Sequence, residues 1–125
     1  MKKTFKDFQD KELNLKTRKK TTVFRHENIH PENYDFEDLP EYLSKYKSEP
    51  LLVELFCGAG GLSIGLMEEG FRPALSVDNN SNSIETHKAY FPGATVNQDL
   101  GIVEVVEYLT EPFLDVEISL LAGGP

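Results

Sequence analysis

Phe56-Cys57-Gly58-Ala59-Gly60-Gly61 sets three glycines within four residues at the end of an apolar run. Glycines in such a place let a ligand approach the backbone and let the following helix pack close to the strand. The amides at the start of that helix favour an anionic group, either phosphate or carboxylate. A dinucleotide fingerprint needs glycine at positions 58, 60 and 63, and position 63 is Ser63, so the spacing fails for NAD-type binding. The plain alternative is a tight structural turn, which rarely uses three glycines. Asp78 lies 18 residues beyond Gly60. A carboxylate there can accept from both hydroxyls of a ribose, or can cap a helix N-terminus. Asp99, further on, can accept from an adenine amino group. Cys57 is the single cysteine, so no internal disulfide is available. Its place inside the turn suits a small packed residue rather than a nucleophile.

One literal match to a metal motif is present. His26-Glu27-Asn28-Ile29-His30 fits H-E-x-x-H. Zinc chemistry needs both histidines on one face of a continuous helix, and a third ligand. Pro31 follows directly, Thr21-Thr22-Val23 precede, and no third ligand stands nearby, so the match is read as chance and no metal is expected. His87 falls on a helix, where an exposed position is expected.

The elements that must position these residues are legible from periodicity. Leu51-Leu52-Val53-Glu54-Leu55-Phe56 reads as a buried strand feeding the glycine turn. Leu62, Leu66 and Met67 recur at helical spacing, and Gly70 is a natural stop. Pro73 to Val77 reads as a second strand ending at Asp78. Asn80, Ser81 and Asn82 are all capable N-caps for a helix through Tyr90, which Pro92-Gly93 breaks. Ala94-Thr95-Val96 is a brief third strand ending near Asp99. Ile102 to Leu109 suits a helix, and Val116 to Ala122 a fourth strand running into Gly123-Gly124-Pro125. Before Leu51, one short helix is plausible at Leu39 to Lys47, with Pro40 in its first turn. Alternating strands and helices imply a parallel sheet with right-handed crossovers. Ligands of such sheets bind beyond the carboxyl ends of the strands. Phe56 with the glycine turn, Asp78, Asp99 and Gly123 should therefore line one crevice.

Charge is unevenly spread over the 125 residues and the net −8. Residues 1–25 hold nine Lys/Arg against three acidic residues, a balance of +6; the other 100 residues balance to −14. The basic arm could touch phosphates by counterion release, or could be a solvated tail. The acidic body is a poor nucleic-acid surface by itself. No stretch approaches the roughly 18 apolar residues needed to span a bilayer, and no apolar segment follows the basic start, so neither a membrane nor a secretory route is expected. A lone cysteine fits a reducing cytoplasm.

Four blocks in order resemble the cytosine-5 DNA methyltransferases. Glu54-Leu55-Phe56-Cys57-Gly58-Ala59-Gly60-Gly61-Leu62 is similar to their first signature, with Glu54 in place of the commoner aspartate. Asp78-Asn79-Asn80 resembles the second, Asp99-Leu100 the third, and Leu121-Ala122-Gly123-Gly124-Pro125 the opening of the fourth. The resemblance implies S-adenosyl-L-methionine as cofactor. Phe56 would stack on adenine, and the backbone from Cys57 through Gly58, Ala59, Gly60, Gly61 and Leu62 would hold the methionine end. Asp78 would hold the ribose, with Asn79 standing where the family often carries a bulky residue against the adenine. Asp99 would accept from the adenine amino group, Leu100 would donate its amide to the ring, and Gly123 would let the backbone pass close to the methyl donor. It also implies that the fourth signature continues with proline and the nucleophilic cysteine, just after Pro125, which attacks carbon 6 of an extruded cytosine. No catalytic residue is then expected within the chain.

The expected fold is α/β: a partial Rossmann-like methyltransferase sheet over residues 51–125, of strand order 3-2-1-4 counted from Leu51. A charged, mixed and partly flexible extension over residues 1–50 would precede it. The implied function is the cofactor-binding portion of a DNA cytosine-5 methyltransferase of bacterial restriction-modification type, acting on double-stranded DNA. Two alternatives stay open: a remnant or split subunit that needs a carboxy-terminal partner half, and a different Rossmann-like methyltransferase.

Overall fold

A computed structural model describes residues 28–124; the basic arm of residues 1–25, His26, Glu27 and Pro125 lie outside the described residues. Five strands form one sheet: β1 (Asn33–Tyr34), β2 (Leu51–Leu55), β3 (Arg72–Asp78), β4 (Gly93–Asn97) and β5 (Leu120–Gly123). Their order is β1-β4-β3-β2-β5, and every neighbouring pair is parallel. Counted from Leu51, this is the 3-2-1-4 order expected. The helices are α1 (Leu39–Tyr46), α2 (Gly61–Glu68), α3 (Ser81–Tyr90) and α4 (Val103–Thr110).

The alternation of side chains along β2 divides the molecule into layers. Leu51 and Val53 join Leu75, Val77 and Val96 in an apolar core, which Leu39, Tyr42 and Leu43 of α1 and Val105 and Leu109 of α4 complete. The Tyr42 hydroxyl donates to the Pro73 carbonyl at 2.6 Å, tying α1 to β3. The opposite face of β2 carries Leu52 and Glu54. There α2 and α3 contribute Ser63 and His87, both fully buried. Caps account for where α3 starts and why it stops. Of the three candidate N-caps, Asn80 takes the role, its Oδ1 accepting from the Ser83 amide at 2.9 Å. Phe91, in extended conformation, ends the helix before Gly93.

Three features differ from the sequence expectation. The stretch before Leu51 contributes a strand, β1, which pairs with Gly93 and Ala94 of β4, and the Asn33 side-chain Nδ2 donates to the Phe91 carbonyl and to Thr95 Oγ1, each at 3.2 Å. A two-residue strand has too little periodicity to be visible in sequence. The fourth strand is shorter than Val116 to Ala122: pairing with β2 begins at Leu120. Val116 packs against the core instead, and the Ser119 amide reaches the Leu51 carbonyl at 2.9 Å. His87 is buried at 0% exposure rather than exposed, because α3 turns it towards Ser63 and Phe91. No helix among the described residues is long and apolar enough to cross a membrane.

Candidate functional site

The carboxyl ends of β2, β3, β4 and β5 deliver the expected residues to one edge of the sheet. The Cys57 amide donates to the Val77 carbonyl at 3.0 Å, and the Gly58 amide donates to Asp78 Oδ2 at 2.8 Å. The glycine turn is thereby fastened to the end of β3. The other oxygen of Asp78 accepts from the Asn80 amide at 3.0 Å. Asp78 is thus fixed by two backbone donors, one on each oxygen, and it stays partly exposed at the crevice. Each carboxylate oxygen can accept more than one hydrogen bond, so ligand hydroxyls can be added without displacing either amide. The Gln98 amide donates to the Asp78 carbonyl at 2.9 Å, which brings Asp99 and Leu100 alongside. Asp99 closes its own small turn through Oδ1, accepting from the Gly101 amide at 2.8 Å.

Phe56 stands out in this group. It is the single non-glycine residue with positive φ among the described residues, at +56°, and its side chain is 51% exposed. A bulky residue held there costs about 1–3 kcal/mol, and such strain collects at functional sites. The backbone reversal turns the Phe56 ring over an apolar cavity of about 400 Å³ that Leu55, Leu100, Val106 and Leu121 also line. Phe56 and Leu100 thus share one apolar cavity at the end of the sheet where Asp78 ends β3. Above the turn, a side chain added at Gly61 would meet nothing within 4 Å. Gly61 is the first residue of α2 and is exposed, and the first amides of a helix, which lack intrahelical partners, favour an anionic group. Gly123 answers a different need: a Cβ there would lie 2.8 Å from the Leu55 carbonyl oxygen, so glycine lets β5 pair closely with β2.

Charge and burial fix what the titratable groups can do. Burial, with the negative charges of Asp78 and Glu54 adding to it, pushes the Cys57 thiol up to about 12. A thiol so protonated and 5% exposed is no nucleophile. Glu54 is raised by its own burial, against the opposing hydrogen bond from Ser63. Burial lowers His87 to about 4, so its ring is neutral near pH 7. Of the H-E-x-x-H match, His26 and Glu27 lie outside the described residues, while His30 accepts from the Glu32 amide at its Nδ1 in a local turn at 3.0 Å. Sequence reading missed Ser63 and His87 as a pair behind the turn. The available signal was Ser63 itself, a hydroxyl where a dinucleotide fold would need a third glycine.

Comparison with known proteins places this edge in a family. The family model of the C-5 cytosine-specific DNA methylases matches residues 51–125. The chain belongs to the C-5 cytosine-specific DNA methylase family. Curated Type II methyltransferases are also similar to this chain. Type II methyltransferase M.PspPI of Psychrobacter is 37% identical over 73 residues, covering 58% of this chain and 16% of the relative. Type II methyltransferase M.HgiGI of Herpetosiphon aurantiacus is 33% identical over 73 residues, covering 58% of this chain and 56% of the relative. Type II methyltransferase M1.HphI of Haemophilus parahaemolyticus is 34% identical over 91 residues, covering 67% of this chain and 23% of the relative. The chain therefore spans from about a sixth to just over half the length of these methylase relatives. No solved structure matches. Within the methylase family, the matched segment is the one that contains the glycine turn, Asp78, Asp99 and Gly123.

Proposed function

We propose that residues 51–125 hold S-adenosyl-L-methionine and supply the methyl-donor half of a DNA cytosine-5 methyltransferase. The observation that carries the reading is the strained Phe56 beside an apolar cavity shared with Leu100, next to an Asp78 already held by two amides. The adenine would lie between Phe56 and Leu100. Its amino group would reach Asp99, its ring would meet the Leu100 amide, and Asn79 would flank it. The ribose hydroxyls would fall to Asp78, and the backbone from Cys57 to Leu62 would take the carboxylate and ammonium of the methionine end. Gly123 would let β5 run close beside the methyl donor. Bound there, the cofactor supplies an electrophilic methyl group on a positively charged sulfur.

The acceptor in this reading is carbon 5 of a cytosine drawn out of double-stranded DNA in the cytoplasm. Making that carbon nucleophilic requires a thiolate at carbon 6. Cys57 cannot serve, being buried and protonated. The thiolate would come from the segment following Pro125 or from a partner chain carrying the remaining half. The exposed edge of β5, where Leu121 is 65% open, favours further structure docking there.

Calorimetry with S-adenosylmethionine tests the cofactor half. Binding should weaken by about 1–3 kcal/mol in Asp78→Ala, from the polar partners left stranded. A folded sample that binds nothing at millimolar ligand refutes it. Transfer of labelled methyl to duplex DNA should appear only when the carboxy-terminal half is supplied.

A further inference from the structure

Behind the glycine turn, on the side away from the crevice, lies a closed ring of contacts that the cofactor reading leaves without a role. Glu54 of β2 is 1% exposed and sits two residues before Phe56. Its Oε1 accepts a hydrogen bond from the Ser63 hydroxyl. Ser63 Oγ stands 3.3 Å from Nε2 of His87. The His87 ring packs against Phe91 at a tilt of 52°, with centroids 4.3 Å apart. The Phe91 ring fills the space a side chain at Gly60 would take, so its edge bears on the turn itself. Ser63 lies in the first turn of α2, and the path from β2 through α2 and α3 returns to Gly60.

The hydrogen-bond directions are constrained. If Ser63 donates to Glu54, its oxygen is left as an acceptor, and His87 must then donate from Nε2. That tautomer leaves Nδ1 as a bare lone pair, and Nδ1 is the buried nitrogen of this group without a partner. The reverse tautomer would bury an unsatisfied N–H, which folded proteins rarely accept. We propose that Ser63 and His87 are positioning residues for the cofactor turn. With Glu54 and Phe91 they form a buried, one-directional strut that sets where the backbone of Gly58 to Gly61 stands. The proposal rests on the reading of that turn as the holder of S-adenosylmethionine.

Its purpose follows from the ligand chemistry. Backbone amides grip an anionic group only if their directions are fixed before it arrives. Glycines leave the turn no side chains with which to fix them, so the rigidity must come from behind. Ser63→Ala removes the central hydroxyl with almost no change in volume. His87→Phe keeps an aromatic ring against Phe91 and removes the donor at the cost of a slightly larger ring, and it serves if Ser63→Ala fails to fold.

The test uses the full chain and three readouts. Nitrogen-15 shifts should show neutral His87 carrying its proton on Nε2 at pH 7. Amide exchange at Cys57, Gly58 and Ile64, whose amides are hydrogen-bonded to Val77, Asp78 and Gly60, should quicken about tenfold in either variant, the loss of one net hydrogen bond, while amides of β3 and β4 exchange as before. S-adenosylmethionine should bind about tenfold more weakly to either variant. A proton on Nδ1, or faster exchange spread evenly over the sheet, overturns the strut. Undiminished affinity in both variants, with the wild type binding, overturns its role in positioning. Failure of the wild type itself to bind refutes the cofactor reading, and the tautomer and exchange results then decide the strut by themselves.

Discussion

Gly60→Ala is the substitution that most directly tests how the turn is built. Gly60 has φ of +114°, a conformation L residues rarely adopt, which costs a new side chain about 1–3 kcal/mol. The added methyl would also enter the ring of Phe91. That ring has little room to swing aside: it is 4% exposed and packed against His87. Overpacking of this kind costs about 1–3 kcal/mol. The two effects together give about 2–6 kcal/mol, a large part of the roughly 5–15 kcal/mol that stabilises an ordinary domain. Gly61→Ala is the control, since Gly61 has ordinary φ, begins a helix and has open space around it. It should be neutral or stabilising by a few tenths of a kcal/mol. Urea denaturation of both variants measures the difference. The share due to overlap is isolated by adding Phe91→Leu: the double variant should recover about 1–3 kcal/mol relative to the sum of the single changes. A Gly60→Ala cost below about 1 kcal/mol, or no coupling to Phe91, would refute the account.

Two further outcomes follow from burial. His87 titrates near 4 in the folded chain against an ordinary 6.5, so the unfolded chain binds a proton that the folded one refuses between those values. Stability due to His87 is therefore complete above pH 6.5 and is lost as pH falls towards 4, by about 3 kcal/mol at 1.36 kcal/mol for each pH unit. Asp78 and Glu54 act on the same region, and Glu54, raised in the folded state, has the opposite trend. The comparison is thus wild type minus His87→Phe, by denaturation from pH 7 to 4; parallel curves would show His87 to be solvated. Cys57, with its thiol near 12, should resist iodoacetamide at pH 8 in the native chain and react promptly in urea; native labelling at the rate of a free thiol would contradict its burial.

Much of the crevice was legible before any coordinates. Apolar runs that end in Gly58, Asp78 and Asp99 alternate with helical spacing, and such alternation leaves a parallel sheet as the packing that buries them. The 3-2-1-4 order came from the resemblance and is the order of the sheet. The glycine turn was visible because it depends on backbone chemistry, which sequence states directly. Three matters were settled only by tertiary packing. Asn33–Tyr34 became a strand because Gly93 and Ala94 of β4, some sixty residues away, offered it a parallel partner. Val116 to Ser119 stay outside the strand, with Val116 packed against the core and pairing with β2 beginning at Leu120. Above all, His87 reads as a surface histidine on a weakly amphipathic helix, since burial of an imidazole depends on what faces it. Glu54 lies on β2, Ser63 on α2 and Phe91 just past the end of α3, and no local pattern places them round one ring; the fold alone brings them together.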